Sequence, residues 1–170
     1  MHLSSDYGVS PAIATVLMVA LTLLLALLVL LLFSLPSSWQ TGEPPAIFVI
    51  HSIEHRSDRE PHALNFDSRV ILVHNGTSTY QNSNLYAIFY RNQVPLYAAI
   101  STLNGYDFIS TRHYGVQWMG GSGCSDSTWT PGESTVIDFA DGTFHQGDRV
   151  QVDILETASN RTISRHRYSA

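Results

Sequence analysis

The stretch His51-Ser52-Ile53-Glu54-His55 has residue types and a spacing that could do chemistry. It matches H-x-x-E-H, in which two histidines hold a zinc ion and the glutamate works on the metal-bound water. That chemistry needs both histidines on one face of a helix. The surrounding "AIFVIHSIEH" instead reads as a strand, with Ile47, Val49, His51 and Ile53 on one face. There His51 and His55 share a side and Glu54 points the other way. The other histidines are His2, His62, His74, His113, His145 and His166, and none has ligand spacing. Cys124 is the single cysteine, so no intrachain disulfide can form, and it reads as a small residue in a Gly/Ser loop. The chain has no nucleophile elbow, phosphate-binding glycine loop or paired catalytic carboxylates. The expectation is no catalysis, no metal and no cofactor. A metal-dependent enzyme rests on HSIEH alone.

Two tripeptides offer modification chemistry. Asn75-Gly76-Thr77 and Asn160-Arg161-Thr162 are N-glycosylation sequons at expected turns or strand ends.

The chain has 170 residues and a net charge of −5. All nine basic residues are arginine and the sequence shows no basic patch, which argues against nucleic acid as a partner. The charges are unevenly placed. None occurs between Asp6 and Glu43, so a very apolar head precedes an ordinary polar body.

Within the head, Ala12 to Leu35 contains only Thr15, Thr22 and Ser34 as polar residues. A helix of that length reaches ~36 Å, enough to cross a ~30 Å hydrocarbon layer. The run is too long for the ~7–15-residue core of a removed secretion signal, and "SLPSSWQ" offers no small-residue cleavage site. Ser10 is placed to cap the helix and Pro11 suits its first turn. Pro36 and the Ser/Gly/Pro stretch to Pro45 stop it and form a linker. Two stripes of 3-4 spacing lie on roughly opposite sides. Ala12, Thr15, Val19, Thr22, Ala26, Val29 and Phe33 are mostly small or β-branched, whereas Leu17, Leu21, Leu24, Leu28, Leu31 and Leu35 are all leucine. Small residues let helices approach closely and leucines fill grooves. A helix apolar all round belongs in lipid or in a bundle of helices.

"GVSPAIATVLMVALTLLLA" closely resembles the N-terminal motif of archaeal type IV pilins, carried by Gly8, Val9, Ser10, Pro11, Ile13, Val16, Leu17, Met18, Val19 and Ala20. The resemblance is specific over residues 8–26. It extends loosely to "VILVHNGT" and "WTPGE", which look similar to stretches in pilin-like proteins of methanogens. It implies cleavage between Gly8 and Val9 by a prepilin peptidase, a helix that sits first in the membrane and then in a filament core, identical subunits as partners, and N-glycosylation outside the cell. The family usually carries a charged residue before the Gly or Ala. Tyr7 stands there in this chain, with Asp6 one position back and no basic residue in the leader.

After the linker the period becomes strand-like. "AIFVIHSIEH", "SRVILVHN", "NLYAIFYRN", "STVIDFA", "DRVQVDILE" and "RTISRHRYS" read as strands. In "NLYAIFYRN", Leu85, Ala87 and Phe89 alternate with Tyr86, Ile88 and Tyr90. In "DRVQVDILE", Val150, Val152 and Ile154 face inward and Gln151, Asp153 and Glu156 outward. Turn signals fall between them, at "HNGTS", "NQVP", "LNGY", "TPGE", "ADGT" and "HQGD". Residues 104–130 read as a long loop with at most one short strand. Their aromatics, Tyr106, Phe108, Tyr114, Trp118 and Trp129, belong either to the lower core or to an exposed contact surface.

The expected architecture is therefore α+β. A leader (1–8) precedes an apolar helix (9–35), a linker (36–45) and an antiparallel β-sandwich or barrel (46–170) of seven or eight strands. The expected function is a structural subunit of an archaeal type IV pilus-like surface filament, made in the membrane and serving adhesion or aggregation. The alternative is a single-pass, membrane-anchored surface-binding domain or minor pilin that does not form the bulk filament.

Overall fold

A computed structural model describes residues 10–34, 42–56 and 64–170. The elements are α1 (Pro11–Ser34), β1 (Phe48–Arg56), β2 (Leu64–His74), β3 (Tyr80–Gln81), β4 (Leu85–Arg91), β5 (Val94–Pro95), β6 (Val116–Gly120), α2 (Ser122–Ser125), β7 (Thr128–Trp129), β8 (Ser134–Phe139), β9 (Arg149–Glu156) and β10 (Arg161–Ser169). The chain divides into two compact units, Met1–Gly42 and Glu43–Ala170.

The first unit is α1. Its 24 residues contain no acid in the first turn and no base in the last. The Ser10 carbonyl accepts the Ile13 and Ala14 amides at 2.8 and 3.1 Å, so Ser10 is the residue from which the helix starts, and Pro11 occupies the first helical position. Over Pro11–Leu31 the helix is long and apolar enough to cross a membrane.

The second unit is an antiparallel sandwich. One sheet has the order β1-β2-β8-β6 and the other β10-β9-β4-β5, with a small β3-β7 pair at one end. Seven strands of five residues or more lie among the described residues, alongside three two-residue strands. The inner faces meet in a core of large side chains. Phe89 of β4 packs edge-on to Phe139 of β8 at 4.9 Å, Phe139 meets Phe144 at 5.3 Å, and Phe48 lies 4.4 Å from Trp129. Among the described residues the buried core runs from Phe48 to Ile154, so the domain carries its own core, as a unit able to fold without α1 does.

The turns follow local chemistry. β4 and β5 are joined through Asn92 and Gln93, both with positive φ (52° and 71°), the backbone twist that suits a two-residue hairpin. Gly123 in α2 faces the Trp129 indole so closely that a Cβ would lie 2.3 Å from Nε1, and only glycine fits there.

The sandwich is not a closed barrel. β1 and β10 are sheet edges that come together without a backbone ladder, and side chains bridge the gap. Ser164 Oγ accepts the Ile47 and Phe48 amides at 3.0 and 2.9 Å, and His166 Nδ1 accepts the Ile50 amide at 3.0 Å. The edge of β1 is thereby satisfied rather than left as a template for further pairing.

Three sequence expectations are corrected here. In β1 the register shifts between Ile50 and Ser52, a bulge at His51. The buried residues are consequently Phe48, Ile50, Ile53 and His55, not the Ile47, Val49, His51, Ile53 row. In β9 the inward face is as expected, but Asp153 is buried on the outer side, because Arg165 of β10 covers it with two hydrogen bonds, one of 2.8 Å from Nε. Residues 104–130 are also more ordered than a loop, since they contain β6, α2 and β7.

Replacing Ser164 by Ala removes the acceptor for the buried Phe48 amide of β1 and the part-buried Ile47 amide just before it. The expected cost is about 1–3 kcal/mol of unfolding free energy, read by urea denaturation as a lower midpoint with unchanged slope.

Candidate functional site

HSIEH does not form the protease geometry. It lies in a strand, and the bulge puts His51 on the exposed side and His55 on the buried side. Neither ring nitrogen of His55 meets a hydrogen-bond partner among the described residues. Among those residues no group of three His, Cys, Asp or Glu side chains could hold a metal. The other buried histidines have structural partners. His74 accepts the Gly76 amide at Nδ1 (3.0 Å) and donates from Nε2 to the Ser78 carbonyl (2.7 Å). His113 lies between the Ile109 carbonyl and the Ser101 hydroxyl, stacked on Phe108 at 4.6 Å. Cys124 is not a loop residue at the surface but a buried one in α2, and burial pushes its thiol up.

The features that remain are surfaces. The first is α1. Every described side chain from Pro11 to Leu31 is exposed, among them Ile13, Val16, Leu17, Met18, Leu21 and Leu24 at 57–72%. The two hydroxyls in the small-residue stripe are satisfied inside the helix: Thr15 donates to the Ala12 carbonyl at 2.9 Å and Thr22 to the Val19 carbonyl at 2.8 Å. They therefore add no unpaired polar group to an apolar surface. Ala12, Thr15, Val19, Thr22, Ala26, Val29 and Phe33 all fall on this one uninterrupted helix. Gly8 and Val9 lie outside the described residues.

The second surface is the run of exposed rings between β5 and β6. Tyr97, Tyr106 and Tyr114 are 95, 78 and 78% exposed. The aromatics of residues 104–130 thus divide, because Trp129 is fully buried while Tyr106, Tyr114 and Trp118 are not. Both sequons are also open to solvent, at Asn75 and at Asn160, whose side-chain oxygen accepts from the Tyr86 hydroxyl.

The third surface went unrecognised in the sequence. On the outer face of β1-β2-β8-β6, Glu54, Arg69, Asp138 and Trp118 stand in register across four strands. Arg69 serves three carboxylates, Glu54 at 3.7 Å, Asp67 at 3.8 Å and Asp138 at 3.9 Å. Burial, helped by the Asp67 charge and opposed by Arg69, pushes the Asp138 carboxyl up to about 6. Beside this row the same face shows partly exposed Val49, Ile71, Val73 and Val136. A signal for it was present: "VILV" in β2 does not alternate, as a strand with one solvated face would.

No family profile matches this sequence, and no curated protein matches it. Among solved structures the chain is similar to the archaellum periplasmic stator protein FlaG from Sulfolobus acidocaldarius. The identity is 13% and the TM-score 0.41, over 72% of this chain and 97% of that one. It is likewise similar to a structure of the FlaF and FlaG stator complex from the same organism, at 13% identity and TM-score 0.42, over 77% of this chain and 94% of that one.

The Asp138 geometry predicts a pH dependence. Its carboxyl binds its proton more tightly folded than unfolded, so between about pH 4 and 6 its contribution to stability falls as pH rises. His166, held below its ordinary value by burial, contributes in the opposite sense as pH rises toward 6.5. The two are separated by Asp138→Asn. This variant should melt a few degrees above the parent at pH 7 and level with it at pH 4, followed by thermal unfolding at both values.

Proposed function

We propose that this chain is the structural subunit of a type IV pilus-like surface filament, inserted in a membrane through α1 and then assembled through the same helix. The observation that carries the proposal is α1 itself. It is 24 residues long, free of charge and exposed over its described side chains, with its hydroxyls already bonded to its own backbone. Such a surface is stable only when surrounded by lipid or by other helices. Lipid needs apolarity alone. Separate small-residue and leucine stripes additionally suit close helix packing, in which copies replace lipid around each other.

The pilin-like motif supplies the rest of the proposal. A prepilin peptidase removes residues 1–8 by cutting between Gly8 and Val9, and the β-domain faces the outside as the filament surface. Exposed Asn75 and Asn160 suit glycosylation there. On this proposal the subunit belongs to an archaeal cell surface, and the filament serves adhesion or aggregation.

A second reading is favoured by Tyr97, Tyr106 and Tyr114. Exposed rings on loops of a rigid sandwich suit a binding surface. The chain would then be a single-pass anchored binding protein, or a minor pilin, outside the bulk filament.

Helix substitutions separate the two. Thr22→Asp places a charge in the small stripe and should abolish filaments while the β-domain stays folded. Ala26→Leu keeps the helix apolar and membrane-competent but blocks close approach, so it should lower filament yield with the protein retained in membranes. Normal yield from both variants, measured by shearing and electron microscopy, would contradict assembly through this stripe.

A further inference from the structure

The two outer faces of the sandwich carry opposite charge. On the β1-β2-β8-β6 face, Glu54, Asp67 and Asp138 surround Arg69, exposed Asp141 lies near Asp138, and exposed Arg56 lies at the strand end. On the β10-β9-β4-β5 face, an open cleft is lined by Arg149, Arg165, Arg167, Tyr90, Tyr168 and Gln151, with no carboxylate in its lining. Two of these arginines have local partners. Arg165 covers Asp153, and Arg167 pairs with Glu43 and donates to Gln151 Oε1 at 2.8 Å. Arg149 is exposed and makes no side-chain hydrogen bond or ion pair among the described residues.

We infer that the acidic, aliphatic face of one copy docks on the arginine cleft face of the next copy. Three observations on the acidic face support this. Its aliphatic residues, Val49, Ile71, Val73 and Val136, sit where a solvated sheet would carry polar side chains, so this face gains from being covered. Its carboxylates, Glu54, Asp67, Asp138 and Asp141, leave the face net acidic around Arg69 and Arg56. Trp118, half exposed, lies across Gly120 at the edge of the same patch, an aromatic anchor beside the charges. The arginine face is complementary, with guanidinium donors for carboxylates and tyrosine rings for aliphatic side chains.

The geometry has a further consequence. The outer faces of a sandwich point in opposite directions. A contact from one face to the other face of the next copy does not close on itself as a twofold dimer does, and it propagates into a linear array. The inference rests on the filament reading for its role in assembly, adding a domain-to-domain contact to the helix packing, but its test does not involve α1.

The β-domain, Glu43–Ala170, is produced alone and followed by sedimentation over a concentration series. Wild type should form species that grow beyond dimers with concentration and dissociate as salt is raised, since screening shortens the reach of charges from ~10 Å at 0.1 M to ~3 Å at 1 M. Ser52→Arg/Glu54→Arg makes the acidic face basic, and Arg149→Glu/Arg167→Glu makes the basic face acidic. Each double variant alone should be monomeric, with association weakened at least tenfold. An equimolar mixture should assemble again, because each variant then presents the charge its neighbour needs. That recovery also shows that both variants are folded. A wild-type domain that stays monomeric at every concentration overturns the inference, as does assembly by each variant alone or a mixture that fails to recover while near-ultraviolet spectra show both folded. Filaments lost on Thr22→Asp alongside a monomeric domain would leave helix-driven assembly standing and remove only this contact. A self-associating domain in a chain that never forms filaments would do the reverse.

Discussion

A 24-residue helix without a charge, exposed on every described side chain, has to be removed from water. At roughly 25 cal/mol per Å² of apolar surface, no contact confined to a few residues would suffice. Lipid and a bundle of like helices both meet the requirement, and the helix is built for either. Its backbone groups bond within it, and its two mid-helix hydroxyls turn back onto carbonyls at 2.8–2.9 Å. The rest of the chain is then constrained to be a body that folds by itself. The sandwich meets this constraint, with its described core residues running from Phe48 onward.

The sandwich handles its own edges in a way that leaves its faces prominent. β1 and β10 meet through Ser164 and His166, so amides on the β1 edge are satisfied by side chains. The side chains left open to solvent lie instead on the two outer faces and on the tyrosine loops. One face gathers carboxylates around Arg69 beside a patch of valine and isoleucine, and the other gathers arginines beside tyrosines. Most of the aromatic mass of the domain holds the sheets together, as Phe89, Phe139, Phe144 and Trp129 do, while three tyrosines are left to solvent.

Much of this was legible in the sequence, for reasons that can be named. The apolar head has no competing interpretation in secondary structure, and "NLYAIFYRN" and "STVIDFA" alternate cleanly because each buries a single face. The turns at "NQVP", "TPGE" and "HQGD" carry residues that accept positive φ. Other features were hidden because they depend on partners distant in sequence. The bulge at His51 leaves no local trace, yet it reverses the alternation after it and separates His51 from His55. Asp153 looked like a solvent residue until Arg165, twelve positions away on the neighbouring strand, covered it. The row Glu54–Arg69–Asp138–Trp118 draws on four strands that no linear pattern connects. β6 was lost among glycines and serines, since a five-residue edge strand has too few residues to show a period.

The account turns on α1 being kept in the mature protein and used for assembly. The direct measurement is mass spectrometry of the N-terminal peptide of the chain in filaments sheared from its native cells. The account predicts a peptide beginning at Val9, recovered from the sheared fraction. A chain that still begins at Met1 or His2, and is found only in membranes, would contradict it and leave an anchored surface-binding domain in its place.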